Sequence, residues 1–380
     1  MPSFESRDIA VLVGNGLSIA FDPDLNLRAI TAEMMDRIQN ATDEGDDVVA
    51  AMREIAQRAL PRGVNSEDDF EMLVGAFGAE TRTLGYLDQL ASLTEPKKRK
   101  LRKAIKRVAS FAERVRDTGL SHVLEVIFER SHGYHDDARN LHAFVEAVTT
   151  AFAGKVVFAN LNYDTLLLAA LLHVCQSDVS DMGHGYRKAR VTTRTGDETE
   201  VPALRASASD FPQSRRVQLL HLHGSVTFWS NANRTIFVKL DRSFLETHDQ
   251  WKSVREQKTN IRPVVVLANQ KDKSAHVEEH PFKLGYEMFV AGLQNAEHWL
   301  IVGYSFKDDP VNAKLREEFS ERTVKPRVLV VTFGSQPTRK EVARAFGWGK
   351  EDGSSKIWLT INRDGANGIQ STDNWRDFIS

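Results

Sequence analysis

With one cysteine, Cys175, in 380 residues, the chain has too few for an internal disulfide or a four-cysteine zinc site. Neither sign of charge is in excess. Fifty Lys and Arg face 52 Asp and Glu, a formal charge of −2, so no overall field draws the chain to nucleic acid or an acidic membrane, and direct nucleic-acid binding is not expected. No long apolar run is clean enough to span a bilayer: the most apolar window, residues 156–174, is broken by Asn160, Asn162 and Asp164. The opening MPSFESRDIAVLVGNG has no basic segment leading into an apolar signal core, and a cytoplasmic location is expected. Repeats and low-complexity tracts are also missing. What is present, 41% hydrophobic and 27% charged residues, is the balance of an ordinary globular protein with chain enough for one large domain or two.

The first element reads as a buried strand, Ile9-Ala10-Val11-Leu12-Val13, closed by Gly14-Asn15-Gly16 and followed by a helix. From about residue 31 the pattern changes. Glycine thins out and apolar residues fall at helical spacing, as in Phe70, Leu73, Val74, Phe77, Leu84 and Leu87, and again from Leu120 to Phe128. Strand signals return at 155–159, 217–222, 263–268, 299–302 and 327–332, with helices at about 165–175, 282–296 and 309–322. Residues 226–229 and 235–240 read as a hairpin, 181–216 as a long loop or loose hairpin, and 357–361 as an edge strand. Strands alternating with helices predict an α/β fold, a parallel sheet with helices on both faces. The division is 1–30 and 155–380 for that domain and 31–154 for an inserted all-helical subdomain.

Ligands in such sheets sit at the carboxyl ends of the strands. Four strand ends are polar or glycine-rich: Gly14-Asn15-Gly16-Leu17-Ser18, Asn160-Leu161-Asn162-Tyr163-Asp164, His221-Leu222-His223-Gly224-Ser225, and Gly303 through Asp309. The Gly-x-Gly turn brings backbone N–H groups toward a phosphate, but a tight strand-to-helix turn explains it equally well. Asp164 fits a helix N-cap; Asn162, entering an apolar helix, is costly to bury without a partner. His221 and His223 share a face if strand geometry persists. No close His, Asp or Glu completes a metal site around them, so no metal is expected. A backbone-bonded core residue suits His221, whereas His223 is placed to meet a ligand and act as a base near neutral pH. Eight of the eleven residues 97–107 are basic; on a helix they spread around more than one face, as a solvated surface or subunit contact does.

In that order, Gly14-Asn15-Gly16-Leu17-Ser18, Asn162-Tyr163-Asp164, His223-Gly224-Ser225 and Gly303-Tyr304-Ser305 resemble the NAD-binding core of the sirtuins (SIR2). Asn-Tyr-Asp and Gly-Tyr-Ser-Phe-x-Asp-Asp-Pro are more narrowly similar to bacterial SIR2-like domains of anti-phage defence systems, most like the SIR2 component that pairs with a HerA-type hexameric ATPase. The likeness covers about residues 8–28, 155–175, 217–229 and 263–335. It implies a Rossmann-like sheet in which Gly14, Asn15, Gly16 and Ser18 hold the NAD pyrophosphate and neighbouring ribose. It further implies that Asn162 and His223 are catalytic, that Asp164 holds the nicotinamide carboxamide, and that Gly303 and Ser305 touch the adenosine side. Sirtuin deacylases usually have Asn where this chain has Thr332.

The resemblance breaks at the small domain with four zinc-binding cysteines that sirtuin deacylases place beside their peptide cleft. This chain has only Cys175 and about 120 helical residues instead. Water then becomes the obvious nucleophile. NAD hydrolysis to nicotinamide and ADP-ribose is expected, with NAD as substrate, no zinc, a homo-oligomer and a HerA-type ATPase as partners. An NAD-dependent protein deacylase and a non-catalytic NAD or ADP-ribose sensor are the alternatives.

Overall fold

Strand β1 (Ile9–Val13) is buried at all five positions, as a strand at the centre of a parallel sheet must be. The computed structural model describes residues 6–41, 45–59, 70–94, 98–131, 138–267, 270–349 and 354–380. β1 is flanked by β2 (Val156–Asn160) and by His298–Val302, each parallel to it, with Val13 level with Asn160 and Val302. Side chains alternate between the two faces. Ile9, Val11, Val13, Phe158 and Leu300 join one apolar cluster, and Ala10, Leu12, Val157, Ala159 and Ile301 the other. The helix Phe282–Asn295 covers the second face, while Leu166–Cys175 and Asp373–Ile379 contribute to the cluster on the first. The fold is α/β and Rossmann-like.

The remaining strands are β3 (Val179–Asp181), β4 (Gly183–Thr192), β5 (Glu198–Leu204), β6 (Val217–His221), β7 (Gly224–Asn231), β8 (Phe237–Lys239), β9 (Ile261–Val265), β10 (His298–Val302), β11 (Arg327–Val331) and β12 (Leu359–Asn362). The parallel sheet has seven strands in the order β12-β11-β10-β1-β2-β6-β3. From β1 the chain proceeds to β2 on one side and only later to β10 on the other. The strand order therefore reverses at β1, and such a switch point is where sheets of this kind bind ligands.

A second, five-stranded antiparallel sheet runs β4-β5-β8-β7-β9. The stretch read as a loose hairpin within 181–216 is the ordered pair β4 and β5. The run read as a core strand near Pro263 is corrected: β9 pairs antiparallel with β7 at the edge of the second sheet. Pro263 has no N–H for a ladder, and an edge tolerates that.

Among the described residues, five α-helices lie between the helix Asn15–Phe21 and β2: Leu27–Ala41, Gly45–Ala59, Phe70–Thr94, Arg99–Arg130 and Ala138–Ala151. The side chain of Phe77 and all of Lys97 lie outside the described residues. The basic stretch and the apolar period after Leu120 form one 32-residue helix, Arg99–Arg130. Arg99, Arg102, Lys103, Lys106 and Arg107 follow i, i+3, i+4, i+7, i+8 spacing along one side of it, so more of the charge is aligned than the sequence reading allowed. Its C-terminal half is fastened to the second sheet's helices. Ser121 Oγ donates to Trp251 O at 3.0 Å, and Arg255 Nη1 lies 2.7 Å from Glu125 Oε2. Burial pushes the Glu125 carboxyl up, but the Arg255 hydrogen bonds and His122, at 3.6 Å, outweigh it and hold the group at about 2.

Candidate functional site

The turn after β1 packs backbone against backbone on the turn after β10. Gly14 N–H donates to Val302 O and Gly16 N–H to Gly303 O, each at 2.9 Å. A Cβ on Gly16 would lie 2.6 Å from Gly303 Cα, and one on Gly303 2.3 Å from Leu17 N, so neither position admits a side chain. Gly303 also has φ +63°, where glycine is at home. The first requirement for glycine here is thus internal, and both glycine N–H groups are already engaged.

Beside this contact, three polar side chains form a buried cluster. Asn162 Nδ2 donates to Gly14 O at 3.1 Å and to Ser18 Oγ at 2.8 Å. The Ser18 hydroxyl then donates to Asp164 Oδ2 at 2.6 Å, and Asp164 Oδ1 accepts Leu166 N–H at 3.0 Å, starting the next helix. The N-cap of that helix is Thr165, not Asp164 as the sequence suggests; Asp164, one residue earlier, serves the helix and the cluster at once, one oxygen for each. Both amide hydrogens of Asn162 are engaged, which fixes its carbonyl Oδ1 as the free-facing acceptor. The neighbouring Asn160 Nδ2 is buried and has no hydrogen-bond partner among the described residues. Asn15, Phe70, Glu71, Asn162, Tyr163 and Asp164 are among the residues around a cavity of about 50 Å³.

Burial pushes the Asp164 carboxyl above its ordinary range; the bonds from Ser18 and Leu166 offset this only in part. The sign follows directly. A raised carboxyl pKa contributes stability that is complete below the unfolded value and is lost as pH rises through the folded one. Asp164→Asn, which has no such titration, is expected to gain melting temperature relative to the wild type between pH 4 and pH 7. Calorimetry at several pH values checks this; a difference constant with pH would show that the buried carboxyl carries no such cost.

His223 sits in the turn between β6 and β7, where strand geometry has ended. The expectation that it shares a face with His221 is corrected. His221 packs edge-on against Phe228, and burial lowers it to about 4, with Lys239 adding to the effect. His223 Nε2 instead lies 3.3 Å from Asp308 Oδ2 and 3.4 Å from the Tyr286 hydroxyl. A carboxylate at Nε2 calls for a proton there, leaving Nδ1 as the basic nitrogen. Asp308 is held by its own local role: its Oδ1 caps the helix Asp309–Glu321 through Val311 N–H at 3.1 Å. No group of three or more His, Cys, Asp and Glu among the described residues could hold a metal ion.

Two further residues complete the surroundings, and the sequence reading assigned neither. Lys273 Nζ, on the helix Gln270–His276, lies 3.3 Å from Asp308 Oδ2 and 2.9 Å from Glu71 Oε2. The Tyr163 hydroxyl, 2.8 Å from Val266 O, lies 2.6 Å from the other oxygen, Glu71 Oε1. Burial pushes Glu71 up, yet Lys273 and the Tyr163 bond prevail and hold it below the usual carboxylate range. Glu71 comes from the inserted helices.

Of the residues singled out from sequence, Gly14, Gly16 and Gly303 meet at one backbone contact, and Ser18, Asn162 and Asp164 form one hydrogen-bonded cluster. Asn15 is at the same cavity, and His223 belongs to the linked Asp308 cluster. Ser305 is exposed and makes no hydrogen bond among the described residues. Thr332 donates to Gln336 O at 2.8 Å, within its own loop.

A family model described as a SIR2-like domain matches residues 156–350, just over half of the chain. The match opens at β2 and so takes in Asn162, Asp164, His223 and Gly303 but not the Gly14–Ser18 turn. A search of curated proteins finds no match.

Proposed function

The chain belongs to the SIR2-like domain family, and on that premise we propose that it is an NAD glycohydrolase, which cleaves the nicotinamide–ribose bond to give nicotinamide and ADP-ribose. The observation that carries this reading is the buried Asn162–Ser18–Asp164 cluster at the switch point of the sheet. A parallel α/β sheet binds dinucleotides at such a point, and the unpartnered Asn160 Nδ2 beside it suits a polar ligand. The cavity of about 50 Å³ is far smaller than a dinucleotide, so a bound dinucleotide has to extend beyond it.

Glycosidic cleavage passes through an oxocarbenium-like transition state, which needs a held ribose and a placed nucleophile. In this reading Asn162, anchored through both amide hydrogens, presents Oδ1 to orient the ribose or the attacking water. His223 Nδ1 accepts the proton that water loses as its oxygen bonds to the ribose carbon, while the bond to nicotinamide breaks and its electrons neutralise the pyridinium ring. That leaving group needs no proton, so no strong general acid is required. Asp164 pairs with the carboxamide. A role in NAD depletion during anti-phage defence, a homo-oligomeric state and pairing with a HerA-type ATPase accompany the same proposal.

The test is incubation of purified protein with NAD, alone and with an acyl-lysine peptide or such an ATPase, followed by chromatography of all products. Nicotinamide and ADP-ribose in equal amounts, with no need for peptide, are expected. Peptide-dependent release with acyl-ADP-ribose would transfer the assignment to a deacylase, and binding without turnover to a sensor.

A further inference from the structure

Asp308 Oδ2 has two cationic or potentially cationic neighbours at the same distance, His223 Nε2 and Lys273 Nζ, both at 3.3 Å. Lys273 is in turn held by Glu71, 202 positions earlier in the chain, at 2.9 Å. The line Tyr163–Glu71–Lys273–Asp308–His223 therefore runs from the Asn-Tyr-Asp segment to the histidine by way of the helical insertion. We propose that Lys273 is a positioning residue for His223: pinned by Glu71, it shares the Asp308 oxygen with the imidazole, so that the insertion and not the sheet alone decides how that imidazole is held. The inference deepens the NAD glycohydrolase reading, on which the word catalytic for His223 rests.

The charges explain why a lysine belongs there. The groups facing His223 are Asp308 at the start of the helix Asp309–Glu321, Tyr286 on Phe282–Asn295, Lys273 on Gln270–His276, and Glu71 on Phe70–Thr94. Tyr286 stays neutral, since burial and Asp308 both push its hydroxyl well up. Counting the two acids as carboxylates and Lys273 as an ammonium, these described groups carry one net negative charge around a neutral imidazole. Without Lys273, two buried carboxylates would face the imidazole and favour its protonation, and a protonated His223 is not a base. Burial first and Lys273 second hold the imidazole below its ordinary range against the pull of Asp308 and Glu71. Glu71 has the complementary part: it fixes the ammonium, and its removal leaves Lys273 facing Asp308 alone.

Charge counting then gives opposite signs for the two single variants. K273M raises the net negative charge beside the imidazole by one, E71Q lowers it by one, and the double variant E71Q/K273M restores the wild-type total. The His223 pKa is expected to rise by about one unit or more in K273M, to fall in E71Q, and to return near the wild-type value in the double variant. The acid limb of the pH profile for nicotinamide release should move the same way, so that K273M recovers turnover at alkaline pH. The direct readout is a nuclear magnetic resonance titration of protein with ¹³C-labelled histidine, in which His223→Gln identifies one signal among 12 histidines. It needs no substrate, so shifts of opposite sign without NAD turnover would sustain the positioning role and remove the NAD glycohydrolase reading. Turnover without such shifts would do the reverse. If K273M does not fold, E71Q and the double variant still decide. Shifts of the same sign in both single variants, an unmoved His223 signal, or a double variant far from wild type would overturn the proposal.

Discussion

Asn162→Ala is expected to reduce nicotinamide release from NAD by about 100-fold or more, with the fold retained. The residue supplies no proton and carries no charge, so the loss is one of placement, and misplacement by about 1 Å costs on that order. Its amide is fixed by Gly14 O and Ser18 Oγ, and alanine removes both bonds, while Gly14 O keeps Leu17 N–H and Ser18 Oγ keeps Asp164. That structural part amounts to about 1–3 kcal/mol, the net worth of two buried hydrogen bonds. Calorimetry and NAD titration separate the two effects. A variant with a slightly lower melting temperature, retained NAD binding and lost turnover fits the assignment. Full turnover in Asn162→Ala would remove Asn162 from the reaction altogether.

Gly303→Ala is expected to destabilise the fold by roughly 4 kcal/mol or more, beyond the range of ordinary single substitutions. The left-handed backbone at φ +63° accounts for about 1–2 kcal/mol with any Cβ. The greater part comes from contact at 2.3 Å with Leu17 N and 2.5 Å with Gly16 Cα, both main-chain atoms with no rotamer to change. Relief would require β1 and β10 to separate at their carboxyl ends, and NAD binding should disappear with the fold. Ser305→Ala, two residues on and exposed, is the control and should stay within about 0.5 kcal/mol of wild type. Urea unfolding of both proteins measures the difference. A Gly303→Ala protein as stable as the control would contradict the close approach of the two turns.

The parallel sheet was legible because its strands are short apolar runs that end in glycine or polar residues. β1, β2, β6, β10 and β11 all have that form, and burial on both faces is what produces it. The second sheet was less legible. β4 is mostly exposed, with Tyr186 standing in solvent, so it lacks the apolar alternation that marks a half-buried strand. β9, Ile261–Val265, reads as a strand, but its apolar run suggests a core position where the proline belongs to an edge. At the site, Asn162, Asp164 and His223 stood out because polar residues followed apolar strands. Asp308 reads locally as a helix cap, which it is, and nothing in its own segment marks the second oxygen. Glu71 resembles any acid in a first helical turn and Lys273 any solvated lysine. Their meeting depends on how the insertion folds back over the sheet, which no local pattern encodes.

The pairs that complete this site are far apart along the chain: Ser18 with Asp164 across 146 positions, Glu71 with Lys273 across 202. During synthesis, which proceeds from the N-terminus, the glycine turn and Glu71 emerge long before His223, Lys273 and Asp308 exist. A nascent or prematurely ended chain thus holds fragments of the machinery and never the whole. For a protein whose proposed activity consumes a central metabolite, such spacing delays any threat to the cell until synthesis has passed Asp308.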